Sequence, residues 1–172
     1  NTYNNVFWQF NMNPYELNNL QYTKADTISS VSSNKYFDEG HIARIDFLKY
    51  LDQKNDIPIN IFGNIEELKL TNYKGKMTIQ DKHNAIVPYK YYFMVENNYE
   101  KGFITEKMWE PILCESLVFY YGCPDIHEYV DSDVFVLLDM NDFEKSYQII
   151  KQAIQEDWWS QRIGKIKIFG QN

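Results

Sequence analysis

What most constrains this chain is an alternation that runs along its length. Short apolar runs, each closing on a polar residue or a glycine, are separated by segments with helical spacing. "TISSVSSN", "IPINIFGN", "KYYFMVEN", "LVFYYG" and "VFVLL" have the length and composition of buried strands. After the first, "HIARIDFLKYLDQ" sets Ile42, Ile45, Leu48 and Leu51 at near-helical spacing. "TEKMWEPILCESL" reads as a second helix and "DIHEYV" as one helical turn. Phe143, Tyr147, Ile150 and Ile154 mark an amphipathic helix, and residues 158–168 begin as another. The stretch 65–89 mixes Lys, Asn and Gly, with a short helix expected near 79–86.

Strands that alternate with helices predict an α/β domain: a Rossmann-like parallel sheet with helices on both faces. In such folds ligands bind beyond the carboxyl ends of the strands, at the point where the strand order reverses. Asn34, Gly63, Glu96-Asn97 and Gly122 all stand at expected carboxyl ends.

Length and charge narrow the field. The 172 residues fit one domain with a sizeable core, and a hydrophobic fraction of 44% is too high for a disordered chain. No apolar run approaches the ~18 residues of a membrane span. A formal net charge of -7 argues against nucleic acid as a partner, because its phosphates need clustered cations. An anionic ligand would therefore depend on a few local cations. Residues 1–23 open at Asn1 and are rich in Asn and aromatics without periodicity; they read as a lead-in from an upstream domain, with the folded unit at 24–172. Cys114 and Cys123 form no disulfide framework or zinc spacing, and there is no N-x-S/T site. Both features lean towards the cytoplasm, or towards the Golgi lumen if an anchor lies upstream.

Two cations are oddly placed. Arg44 and Lys107 both fall near the start of a helix, where the macrodipole disfavours positive charge. A bound diphosphate would give each a reason to be there, since leading amides of a helix also attract phosphate. Thr105 is the expected N-cap. Glu106 could accept hydrogen bonds from ribose hydroxyls. The plainer reading of Glu106-Lys107 is a solvated helix start, and that of Glu96 is a strand-end carboxylate satisfied by loop amides. "DSD" at 131–133 reads as a turn before a strand rather than a metal site, and His41, His83 and His127 show no ligand spacing. His41 does lie one turn from Arg44.

The segment "YKYYFMVENNYEKGFITEKMWEPILCESLVFYYG" resembles the signature of the alpha-1,3-fucosyltransferases, glycosyltransferase family 10: Y-K-F-x-L-x-F-E-N, a short loop, Y-[VI]-T-E-K, then a helix and a strand ending in Gly. "ISSVSSN" with "HIAR", "INIFGN", "YYGCPDIHEYV" and "FVLLDMNDFEKSYQIIKQAI" follow the family's order on either side. The resemblance implies the donor-binding half of a GT-B enzyme, with GDP-fucose as donor, no metal, and inverting transfer to a glycan or other hydroxyl acceptor held by an upstream domain. It implies that Arg44 and Lys107 hold the diphosphate and Glu106 the ribose or sugar hydroxyls. Ser33, Asn34, Gly63 and Thr105 would shape the nucleotide pocket. Glu96, with Arg44 and Lys107 in the catalytic set, would face the donor sugar and β-phosphate together with Asn97. Phe103 stands in the donor site where the family has Tyr. Pro111 predicts a kink or an irregular first turn. The family's general base has no match in this chain. The alternatives are another donor such as a UDP-sugar, or a non-catalytic Rossmann-like binding module.

Overall fold

The computed structural model describes residues 23–171; the expected lead-in and its boundary lie outside the described residues. The five apolar runs are the strands β1 (Ala25–Ser33), β2 (Ile59–Asn64), β4 (Tyr89–Val95), β5 (Leu117–Tyr121) and β6 (Phe135–Leu137), and a sixth strand, β3 (Tyr73–Gly75), lies between β2 and β4 in sequence. They form one six-stranded sheet in the order β3-β2-β1-β4-β5-β6. All five pairings are parallel. The order reverses between β1 and β4, so their carboxyl ends flank the switch-point crevice.

The helices are α1 (Glu39–Lys54), α2 (Glu106–Leu113), α3 (Phe143–Gln155) and α4 (Trp158–Gln171). Right-handed crossovers running outward in opposite directions from β1 and β4 place helices on both faces. Phe47 of α1 packs on Phe93 of β4 and on Phe143 of α3, with ring centroids 5.3 and 5.1 Å apart. Trp109 of α2 stacks on Phe169 of α4 at 6.3 Å.

Three local differences from the sequence reading have physical causes. β3 is a three-residue edge strand with no apolar pattern, held by the Ile61 amide on the Asn72 carbonyl at 3.0 Å. The short helix near 79–86 is a 3₁₀ turn, Lys82–Ala85. α2 stops at Leu113 rather than running to residue 117. Pro111 offers no amide to the Lys107 carbonyl, and Glu115 then turns left-handed at φ 64.

Lys24 staples the amino-terminal ends of the central strands. Its Nζ donates to the carbonyls of Val87 and Tyr89 at 2.5 and 3.1 Å. Burial lowers its pKa to about 8. The unfolded chain holds that proton to ~10.4, so the native state releases it first and gains stability as pH rises through this window. Wild type should therefore gain stability relative to Lys24→Met between about pH 8 and 10, read from denaturant midpoints across pH. Buried tyrosines act in both proteins and cancel in the difference, and the Cys114 thiol, which Lys24 influences but burial pushes up to about 12, stays protonated in the native state through this window. A pH-independent difference would refute this account.

Candidate functional site

A cavity of about 340 Å³ opens at the carboxyl ends of β1, β2 and β4. Its walls include Ser33, Gly63, Asn97, Glu106 and both oddly placed cations, Arg44 and Lys107. Two further cations, Lys35 and Lys82, line it as well. Four cationic side chains thus face one carboxylate, Glu106, in a protein whose net charge is -7. Low-dielectric walls strengthen such a local field.

Arg44 is set by the packing of α1. Gly40, in the first turn, lies so close to β4 that an added Cβ would meet the Glu96 carbonyl oxygen at 1.8 Å. Its amide donates to the Asn97 carbonyl at 2.9 Å. One turn on, the Arg44 guanidinium donates through Nη1 to the Val95 carbonyl at 2.8 Å and through Nη2 to Asn97 Oδ1 at 3.3 Å. The residue is only 4% exposed, and its Nε has no hydrogen-bond partner among the described residues. Burial pulls its pKa below the ordinary arginine value, with Tyr92 and Glu96 opposing. A guanidinium remains charged in such a setting, so its countercharge must come from elsewhere.

Lys107 is set by the start of α2. The Thr105 hydroxyl accepts the Lys107 amide at 3.3 Å, which is the expected cap. Lys107 Nζ lies 3.6 Å from Glu106 Oε1, so these neighbours are partly paired across the cavity wall. The leading amides are less available than the sequence suggests. The Gly40 amide of α1 and the Lys107 amide of α2 both have internal acceptors, which leaves the cationic side chains as the main source of positive potential.

Glu96 does not face the cavity, contrary to the expected contact with the donor sugar. It is 0% exposed. Its Oε2 accepts the Thr105 amide at 2.8 Å, and its Oε1 accepts the Thr105 hydroxyl at 2.5 Å. Gly122 leaves room for this carboxylate, since a Cβ there would meet Glu96 Cγ at 2.4 Å. Burial raises the carboxyl's pKa, against the two bonds from Thr105. Its place is that of a strand-end carboxylate positioning a helix start. Asn34, Phe103 and Thr105 also lie outside the cavity lining, although Thr105 acts on it through α2. Gly63 meets the lining because β2 ends hard against β1. Its φ is +121, and a Cβ would meet the Ser32 carbonyl oxygen at 1.9 Å.

Lys82 belongs to the cavity although no motif marks it. Its ammonium is 2.7 Å from Glu110 Oε2, a fully buried carboxylate on α2. This pair ties the 3₁₀ turn, and with it the wall residues Met77, Thr78 and Ile79, to the helix that carries Lys107. Nothing in the mixed stretch 65–89 marks it, because the partners are linked only by the fold. "DSD" is a turn, with the Asp133 amide on Asp131 Oδ1 at 2.9 Å. Among the described residues no group of three or more His, Cys, Asp and Glu side chains could hold a metal ion, and no helix is long and apolar enough to cross a membrane.

A reversing parallel sheet with a cation-lined cavity at its switch point defines a Rossmann-like α/β domain. The family model "Glycosyltransferase family 10 (fucosyltransferase) C-term" matches residues 21–156, and the chain belongs to that family. A zebrafish (Danio rerio) protein named GDP-fucose protein O-fucosyltransferase 3 is 31% identical over 84 residues, covering 48% of this chain and 18% of its own length. A crystal structure of an alpha1,3-fucosyltransferase with GDP-fucose superposes with a TM-score of 0.64 at 20% identity, over 80% of this chain and 38% of the other. TarM gives 0.56 at 14% identity, over 85% and 32%. The chain thus spans well under half the length of each of these proteins.

If Glu96 positions α2 through Thr105, an amide can replace it, accepting the backbone amide and donating to the hydroxyl. Glu96→Gln should unfold within about 1 kcal/mol of wild type, whereas Glu96→Ala should lose about 2–4 kcal/mol through the cavity and the orphaned donors. Thermal unfolding of both variants decides it, and equal losses would refute the positioning role.

Proposed function

We propose that this chain is the donor-binding domain of an inverting fucosyltransferase and that its switch-point cavity holds the diphosphate of GDP-fucose. The observation that carries the reading is the buried Arg44 guanidinium on a wall shared with Lys35, Lys82 and Lys107. Fucose as the sugar and GDP as the carrier are supported by family membership and by the name of the zebrafish relative.

The chemistry fits the wall. When the glycosidic bond of a nucleotide sugar breaks, negative charge builds on the departing diphosphate. Fixed cations aimed at that charge lower the barrier without reorganising. Arg44, held on two oxygens of the β4 end, is prepaid in this sense, and Lys107 adds a second cation from α2. Glu106, beside Lys107 and lining the cavity, is placed to accept from sugar or ribose hydroxyls. With the leaving-group charge met by side chains, the reaction would need no metal. The general base and the acceptor, a glycan or another hydroxyl, would belong to an upstream domain, so the isolated chain should bind donor and transfer poorly.

Calorimetric titration of GDP, GDP-fucose and UDP separates the readings. Lys107→Ala should weaken GDP binding about tenfold or more, as expected for one charge-assisted contact. Binding by wild type should be insensitive to EDTA. Equal GDP affinity in wild type and variant would overturn the diphosphate assignment. Tighter UDP than GDP binding would replace the donor, and no nucleotide binding at all would favour a non-catalytic module.

A further inference from the structure

His41 stands one turn before Arg44 on α1 and lines the same cavity. The Asp38 amide donates to its Nδ1 at 3.3 Å. A ring nitrogen that accepts carries no proton, so the neutral imidazole holds its proton on Nε2. Burial and then Arg44 lower the ring's pKa, against the Asp38 carboxylate 3.9 Å away, which favours that neutral form. Phe37 packs edge-on at 4.7 Å and an interplanar angle of 82°, fixing the ring plane. The Nδ1 bond is the only hydrogen bond of the ring among the described residues. Nε2 is nevertheless not one of the sealed, unpartnered atoms of the core. In a residue 3% exposed, what the ring leaves open is its edge on the cavity.

We propose that His41 donates its Nε2–H to the phosphate group held by Arg44 and Lys107. The inference rests on the anion-binding reading of this cavity and adds a neutral donor to its cations. A second buried cation one turn from Arg44 would be repelled by it; a neutral N–H adds a bond to the anion without that cost. One ring thereby serves two ends, closing the start of α1 through Nδ1 and meeting the ligand through Nε2.

The two roles come apart by substitution. At this helix position Gln and Glu are both normal acceptors for the capping amide. His41→Gln keeps the cap and an N–H to offer, His41→Glu keeps the cap alone, and His41→Met keeps neither. Thermal unfolding should follow the cap, with the Met variant least stable. Affinity for GDP and for inorganic pyrophosphate, measured calorimetrically on the same proteins, should follow the donor. Gln should stay within about threefold of wild type, while Glu and Met should both fall about tenfold or more. Affinities that track unfolding temperature, or Glu and Met variants that bind pyrophosphate as wild type does, would overturn the proposal. A wild type that binds pyrophosphate in this order but not GDP would overturn the nucleotide reading and leave His41 its role. A wild type that binds neither anion overturns both.

Discussion

Arg44 is taken out of water where α1 crosses the end of β4, and it gives one donor to the Val95 carbonyl and another to Asn97. The same crossing needs Gly40, because the β4 backbone occupies the space a Cβ would take. These contacts fix where α1 begins relative to the sheet, and so where a buried positive charge points. Burying a charge is costly unless something compensates it. Here two carbonyl oxygens do so in part, and Nε, without a partner among the described residues, leaves the compensation incomplete.

The second helix at this edge is pinned by the next residue of the same strand end. Glu96 turns inward beneath α2 and holds Thr105 by both its amide and its hydroxyl, while Gly122 gives it room. Val95, Glu96 and Asn97 therefore place both helices: two of them through Arg44 and Gly40, one through Thr105. The polar residues at both lips of this strand-to-helix turn divide the work. Glu96 and Thr105 set position, and Asn97, Glu106 and Lys107 face the cavity.

Much of this was legible in the chain because its signals are local. The apolar runs and the spacing of Ile42, Ile45, Leu48 and Leu51 report burial directly, and they give the α/β sheet with little ambiguity. The strand ends at Asn34, Gly63 and Glu96 follow from the same pattern, and Arg44 and Lys107 stand out by opposing the helix dipole. What escaped is set by contacts between distant segments. β3 has three residues and borrows its partner from β2, so it carries no period of its own. Lys82 meets Glu110 only after the 3₁₀ turn folds back onto α2. The direction of Glu96 depends on a glycine 26 residues later, which no motif around Glu96 encodes.

The charge pattern of the cavity separates its cations by what already answers them. Lys82 is matched by a buried Glu110 at 2.7 Å, and breaking a buried pair is costly, so this lysine is committed to holding the wall. Lys107 has Glu106 at 3.6 Å, at a distance and exposure where an arriving anion can compete. Arg44 has carbonyl and amide oxygens but no carboxylate in ion-pair contact among the described residues. Lys82, Lys107 and Arg44 thus form a graded set, from structural to available, along the wall they share with Lys35. On the proposed reading, a ligand bearing two adjacent negative groups would meet Arg44 and draw Lys107 from Glu106, whereas a single charge would satisfy Arg44 and leave the Glu106–Lys107 pair undisturbed.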